Sequence, residues 1–195
     1  MSSSPVLRLA SASPRRRELL AQIGVPHAVA VPDVDEGVRA GEAVAVYVER
    51  VAQSKAEAIW ERGRDLPVLG ADTTVVLDGV SLGKPRDRAQ GLAMLEALAG
   101  REHRVLTAVA LVTAAGTHCL TSASTVRMRA STAQERARYW DTGEPRDKAG
   151  GYAIQGLGAV FIKSLQGSYS GVMGLPLFET AALLAAAGVP CWSTS

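Results

Sequence analysis

The sequence predicts an α/β fold, a mixed, elongated β-sheet with flanking helices. Three observations lead there. Strand-like and helix-like patterns alternate through the first half, two long Val/Leu/Thr-rich segments follow one another across a short turn, and Gly or Pro marks most of the boundaries. With 195 residues and 47% hydrophobic content the chain can bury a sizeable core, and it reads as one domain over residues 1–195.

Residues 6–9 predict a short strand. Ser13 is the expected N-cap and Pro14 the first residue of a helix running to Gly24, since the N–H that proline lacks has no helical partner there. Residues 27–31 suit a strand and 32–37 an acidic loop. Residues 42–62 predict a helix stopped by Gly63, with Val44, Tyr47, Val48, Val51, Ala58 and Ile59 at helical spacing and Lys55 riding on it. Residues 66–71 and 73–77 read as buried strand, and Asp78-Gly79 is a two-residue hairpin signal before 80–82. A helix over 87–98 closes at Gly100. Residues 103–112 and 118–128 read as long strands joined across 114–117, pairing antiparallel and so making the sheet mixed. Thr132 and Glu135 form a capping box for a helix that ends before Gly143. Residues 143–158 hold five glycines and predict a loop where backbone approaches something closely. Residues 159–165 suit a strand, and Pro176 starts a last helix through Ala187, stopped by Gly188.

Composition narrows the function. Lys and Arg number 21 against 19 Asp and Glu, a net charge of +2, with no dense basic block, so a nucleic-acid polymer is disfavoured as a partner. Cys119 and Cys191 form no Cys-x-x-Cys and are too few for a disulfide framework, which favours a reducing compartment. His27, His103 and His118 have no zinc-ligand spacing, so any metal is expected to be hard and carboxylate-held. No signal peptide or membrane-length apolar run is evident, and a soluble, cytoplasmic protein is expected.

The chemistry concentrates in a few places. Strand, Ser11-Ala12-Ser13 turn, Pro14 and the pair Arg15-Arg16 make an anion trap at a helix N-terminus, with triphosphate the first ligand to suspect. The same residues could equally be a capped surface helix. Asp72, flanked by apolar strand, is costly to bury unless paired, hydrogen-bonded or metal-bound, although it could cap a local turn. Lys84 is held between Gly83 and Pro85 and could also be a solvated loop lysine. Lys55 on its helix has the stronger expectation of facing water.

Taken together these residues resemble the Maf family of nucleoside triphosphate pyrophosphatases. The resemblance rests on seven motifs in order: Ser11-Ala12-Ser13-Pro14-Arg15-Arg16, Val34-Asp35-Glu36, Lys55, Gly70-Ala71-Asp72-Thr73, Gly83-Lys84-Pro85, the run from Asp147 to Gly156, and Gly174-Leu175-Pro176-Leu177. It implies a Maf or ITPase-like fold with a nucleotide-binding cleft and the reaction of a nucleoside triphosphate with water to give the monophosphate and pyrophosphate. It further implies Asp72 as proton acceptor, with Lys55 and Lys84 as the other catalytic residues. Ser11, Ser13, Arg15, Arg16, Thr73 and Gln155 become substrate-binding or specificity positions, and Glu36 and Asp72 ligands for Mg²⁺ or Mn²⁺. A homodimer is implied too.

Within the family, the segment ending in Gln155-Gly156 resembles the branch acting on dTTP and UTP. Thymine and uracil offer an N3–H donor beside an O4 acceptor, and one Gln amide satisfies both. A flipped amide meets cytosine's reversed pattern, so a second contact must help. Two other readings stay open: a pyrophosphatase for 7-methyl-GTP or other purine or modified nucleotides, and a non-catalytic, nucleotide-sensing regulator of septum formation. Ser170-Gly171-Val172-Met173 departs from the family's usual approach to Gly-Leu-Pro, which puts pocket shape and dimer contacts in question more than the chemistry.

Overall fold

The computed structural model describes residues 4–192. It is a mixed α/β structure whose sheet runs in the order β2 (His27–Ala30), β1 (Leu7–Ala10), β3 (Val68–Leu77), β5 (Glu102–Thr113), β6 (Gly116–Met128) and β7 (Ile162–Gln166), with β4 (Val80–Leu82) paired to β3. β1 is parallel to both β2 and β3, whereas β3 with β4 and β6 with β7 are antiparallel. Only two residues join β5 to β6, a connection that suits antiparallel neighbours. The helices are α1 (Pro14–Gln22), α2 (Val44–Trp60), α3 (Arg88–Leu98), α4 (Ala133–Asp141), α5 (Tyr169–Met173) and α6 (Leu177–Ala186).

The chain forms two compact units, with boundaries inside β3, β5 and β6 and at the end of α5. Of the described residues the first holds 4–72, 107–122 and 174–192, and its core includes Ala10, Ala56, Ile59, Val68 and Val112. Here α2 lies directly on β3. A Cβ at Gly70 would come within 2.4 Å of the Ala52 carbonyl oxygen and 2.8 Å of the Ala56 nitrogen, so the contact is one that only glycine permits. Ala52, Lys55 and Ala56 share one face of α2, and Gly70 and Asp72 share one face of β3. The bare backbone at Gly70 thereby lowers Lys55 toward Asp72.

The second unit, residues 73–106 and 123–173, packs Val75, Leu77, Leu95, Leu98, Val105, Val126, Tyr139, Tyr152, Ile154 and Phe161 into its core. Asp78 and Gly79 both take positive φ, +52° and +79°, as a tight hairpin of the mirror-image type needs. Gly91 on α3 lies under the Trp140 ring of α4, where a Cβ would approach ring carbon to 1.9 Å. Thr132 and Glu135 form a complete capping box.

Several boundaries differ from the sequence expectation. α1 ends at Gln22, and Gly24 turns the chain with φ +67°. Residues 66–77 contain one strand beginning at Val68, with Asp72 in its interior. Leu157–Phe161 is a 3-10 turn and the strand begins only at Ile162, since Gly156 and Gly158 are drawn against Glu144 and Tyr139. The five-residue helix α5 has no counterpart in the expectation.

Candidate active site

In the first unit β1 delivers the chain into the Ser11 turn. The Ser11 N–H donates to the Leu9 carbonyl at 2.9 Å, and Ser11 Oγ accepts from the Ser13 N–H at 3.1 Å and from Arg16 at 3.3 Å. With both lone pairs engaged, the Ser11 hydroxyl has its own proton left to donate. Ser13 occupies the N-cap position with extended backbone and Pro14 follows, but the Ser13 side chain makes no capping bond. Ser11 acts as the local cap instead.

Arg16 is drawn inward. Its Nε donates to the Gly174 carbonyl at 2.7 Å, tying α1 to the segment that opens α6. Burial pushes the Arg16 pKa down, the charges of Asp72 and Glu36 oppose that shift, and Arg15 adds to it. Arg15 is half-buried beside it, and Arg17 is exposed.

Lys55 is only 6% exposed, against the expectation that it faces water. Its ammonium donates to Asp72 Oδ1 and to Glu36 Oε2, each at 2.8 Å. Asp72 is itself buried, whereas the Glu36 side chain is about half exposed (52%). Asp72 is therefore not a local turn cap. It is a strand-interior carboxylate paired with a cation from the helix above, and each carboxylate keeps its other oxygen off the lysine.

Three residues that sequence reasoning did not mark as functional hold the Glu36 loop. Tyr47 Oη donates to the Glu36 carbonyl at 3.1 Å, and Arg50 donates to the Gly37 carbonyl at 2.8 Å. Glu42 grips Arg50 through both oxygens, which holds the Glu42 carboxyl down at about 2. Burial, with the charges of Asp72 and Glu36, pushes the Tyr47 phenol up to about 12. The available signal was spacing, since Tyr47 and Arg50 sit one turn apart on the helix that carries Lys55.

In the second unit Thr73 is half-buried, next to Asp72 along β3. Lys84 is exposed beside the buried Pro85, and the carbonyl of its neighbour Gly83 accepts the Gly150 N–H at 3.0 Å. Gln155 is exposed, between the 3-10 turns Ala149–Gly151 and Leu157–Phe161. The structure thus brings together Ser11, Ser13 and Arg16, and Lys55 with Asp72 and Glu36, within one unit, and Arg16 feels the charges of both carboxylates. Thr73, Lys84 and Gln155 belong to the other. Among the described residues no group of three or more His, Cys, Asp or Glu is placed to hold a metal ion, Cys119 and Cys191 are free thiols, and no helix is long and apolar enough to cross a membrane.

A mixed α/β protein with a serine-arginine turn at a helix start and a buried lysine held between a buried and a half-exposed carboxylate belongs among proteins built to handle anionic ligands. The family is given by comparison: residues 6–187 match the model of the Maf-like protein family, and the chain belongs to it. A protein of Hahella chejuensis named dTTP/UTP pyrophosphatase is 54% identical over 190 residues, covering 96% of this chain and 94% of its own. A Bordetella avium protein of the same name is 56% identical over 198 residues, covering 97% and 98%. The structure of the Staphylococcus aureus Ham1 protein aligns with a TM-score of 0.48 at 16% identity, over 63% of this chain and 71% of that one.

Proposed function

We propose that this protein hydrolyses dTTP and UTP to the monophosphate and pyrophosphate. The observation that carries the reading is the Lys55 ammonium shared between Asp72 and Glu36 at 2.8 Å, in a chain whose full-length relatives bear that name. In this scheme water attacks the α-phosphorus, its proton passes to Asp72, and the bond to the bridging oxygen breaks to release pyrophosphate. Lys55 orients Asp72 for that transfer. Arg15, Arg16, the Ser11 hydroxyl and the Ser13 turn hold phosphate oxygens, and Lys84 meets charge that grows on the leaving group. Thr73 and Gln155 read the base.

Glu36 and Asp72 are a hard-oxygen pair, and Mg²⁺ is commonly held by one or two carboxylates plus substrate phosphates, so they fit Mg²⁺ or Mn²⁺. Bound there, the cation would polarise the phosphates. The residues 1–195 work as one catalytic domain in this reading, and the protein acts as a homodimer. The test is Asp72→Asn and Lys84→Ala, each expected to lower kcat by roughly 10²-fold or more with the thermal unfolding midpoint retained. Unchanged turnover in both variants overturns the assignment.

A further inference from the structure

Resting on that reading of Gln155, we propose that Tyr139 and Glu144 are positioning residues that fix the Gln155 turn and thereby set base selectivity. The turn is tethered on both sides. Tyr139, 4% exposed on α4, donates from Oη to Glu144 Oε1 at 2.6 Å and accepts the Ala153 N–H at 3.1 Å. Glu144 Oε1 accepts the Gly158 N–H and its Oε2 the Leu157 N–H, each at 2.9 Å. Gln155 therefore lies two residues beyond one tether and two before the next. The turn closes through the Gly156 N–H to the Ala153 carbonyl at 3.4 Å.

The packing leaves the turn no slack. A Cβ at Gly156 would meet Glu144 Oε2 at 2.0 Å, and one at Gly158 would meet Tyr139 Oη at 2.5 Å. Tyr139 is fixed in turn by Phe161, edge to face at 5.3 Å between ring centres. Burial, with the bond to Glu144, drives the Tyr139 pKa upward, so the phenol stays a donor, while the bonds from Tyr139, Leu157 and Gly158 outweigh burial and lower the Glu144 pKa. A carboxylate accepting three bonds thus organises a segment rich in glycine, which would otherwise sample many conformations.

The consequence for selectivity follows from the chemistry of an amide. Gln155 is exposed at the tip of the turn, and rotating its amide by half a turn exchanges the pattern that suits uracil for the one that suits cytosine. Discrimination then depends on where the turn holds the amide, and displacements near 1 Å can cost catalysis about 10²-fold. Neither Tyr139 nor Glu144 needs to touch the nucleotide. Their effect reaches it through the backbone at 153, 157 and 158.

The experiment compares kcat, KM and the UTP-to-CTP ratio of kcat/KM in the full chain and in Tyr139→Phe, Glu144→Gln, Gln155→Ala and the Tyr139→Phe/Gln155→Ala double variant. Tyr139→Phe and Glu144→Gln are expected to lower the ratio roughly tenfold, chiefly by raising KM for UTP, with kcat within about threefold of the parent. The double variant is expected to match Gln155→Ala, because the clamp has nothing left to position. An unchanged ratio alongside a lowered unfolding midpoint would make the pair merely structural and overturn the proposal. Additive losses in the double variant overturn it as well. A parent enzyme that prefers a purine overturns the reading of Gln155 instead, and the clamp is then judged on the ratio of that purine to UTP.

Discussion

The Lys55 ammonium has two carboxylate partners of unequal exposure, and that asymmetry predicts unequal consequences of removing them. Asp72→Asn leaves Lys55 bonded to Glu36, so turnover falls while stability changes little. Lys55→Met takes from buried Asp72 its hydrogen-bonded cation and leaves it close to a second negative charge. It is expected to cost about 3 kcal/mol or more in urea unfolding as well as activity. Equal stability losses in the two variants contradict this arrangement. At the base-reading position, Gln155→Glu replaces the amide donor with a carboxylate oxygen that cannot donate to O4. Its UTP preference is expected to fall relative to guanine nucleotides, and an unaltered nucleotide profile rejects Gln155 as the reader. Asp72 was legible as important because a carboxylate in an apolar strand needs a partner. Lys55 was marked only by the family resemblance and was expected to face water, because periodicity cannot tell which helix lysine is folded inward.

Among the elements, the strands and helices with strong local signals follow their sequence patterns closely. Asp78-Gly79, the Thr132–Glu135 capping box and Pro14 each work through backbone chemistry confined to a few residues. The elements that differ depend on contacts distant in sequence. The 3-10 turn Leu157–Phe161 is held by Glu144, which is paired to Tyr139 of α4, and no local pattern announces that pairing. Glycines tell a similar story at Gly70 and Gly91, whose role is to let a helix settle on a strand and a tryptophan on a helix. Gly91→Ala is expected to lower stability by about 1–3 kcal/mol despite alanine's better helix propensity, because the methyl group overlaps the Trp140 ring. Stabilisation in a thermal melt is the contrary result. Trp140→Leu in the same background is expected to recover part of the loss.

For the whole molecule, the α/β class and the mixed sheet were readable from alternating patterns, whereas the division into two compact units was not, since three of its four boundaries fall inside continuous strands. A buried histidine gives the fold a pH limit. His103 Nε2 lies 2.7 Å from Tyr152 Oη, its Nδ1 has no partner among the described residues, and burial pushes its pKa from 6.5 down to about 4. Between those two values the unfolded chain binds the proton and the folded chain does not. Stability therefore falls as pH drops from about 6.5 toward 4, by about 3 kcal/mol from this group. Comparing urea midpoints at pH 7 and pH 4.5, His103→Gln should lose less stability than the parent, and an equal loss contradicts the assignment.

The hydrolysis itself is read out by pyrophosphate release from dTTP, UTP, CTP, GTP, 7-methyl-GTP and ITP with Mg²⁺ or Mn²⁺ and with a chelator. Metal-dependent release led by dTTP and UTP is the expected result. Release from guanine or inosine nucleotides alone would contradict the pyrimidine reading, and release from none of the six would contradict the enzyme.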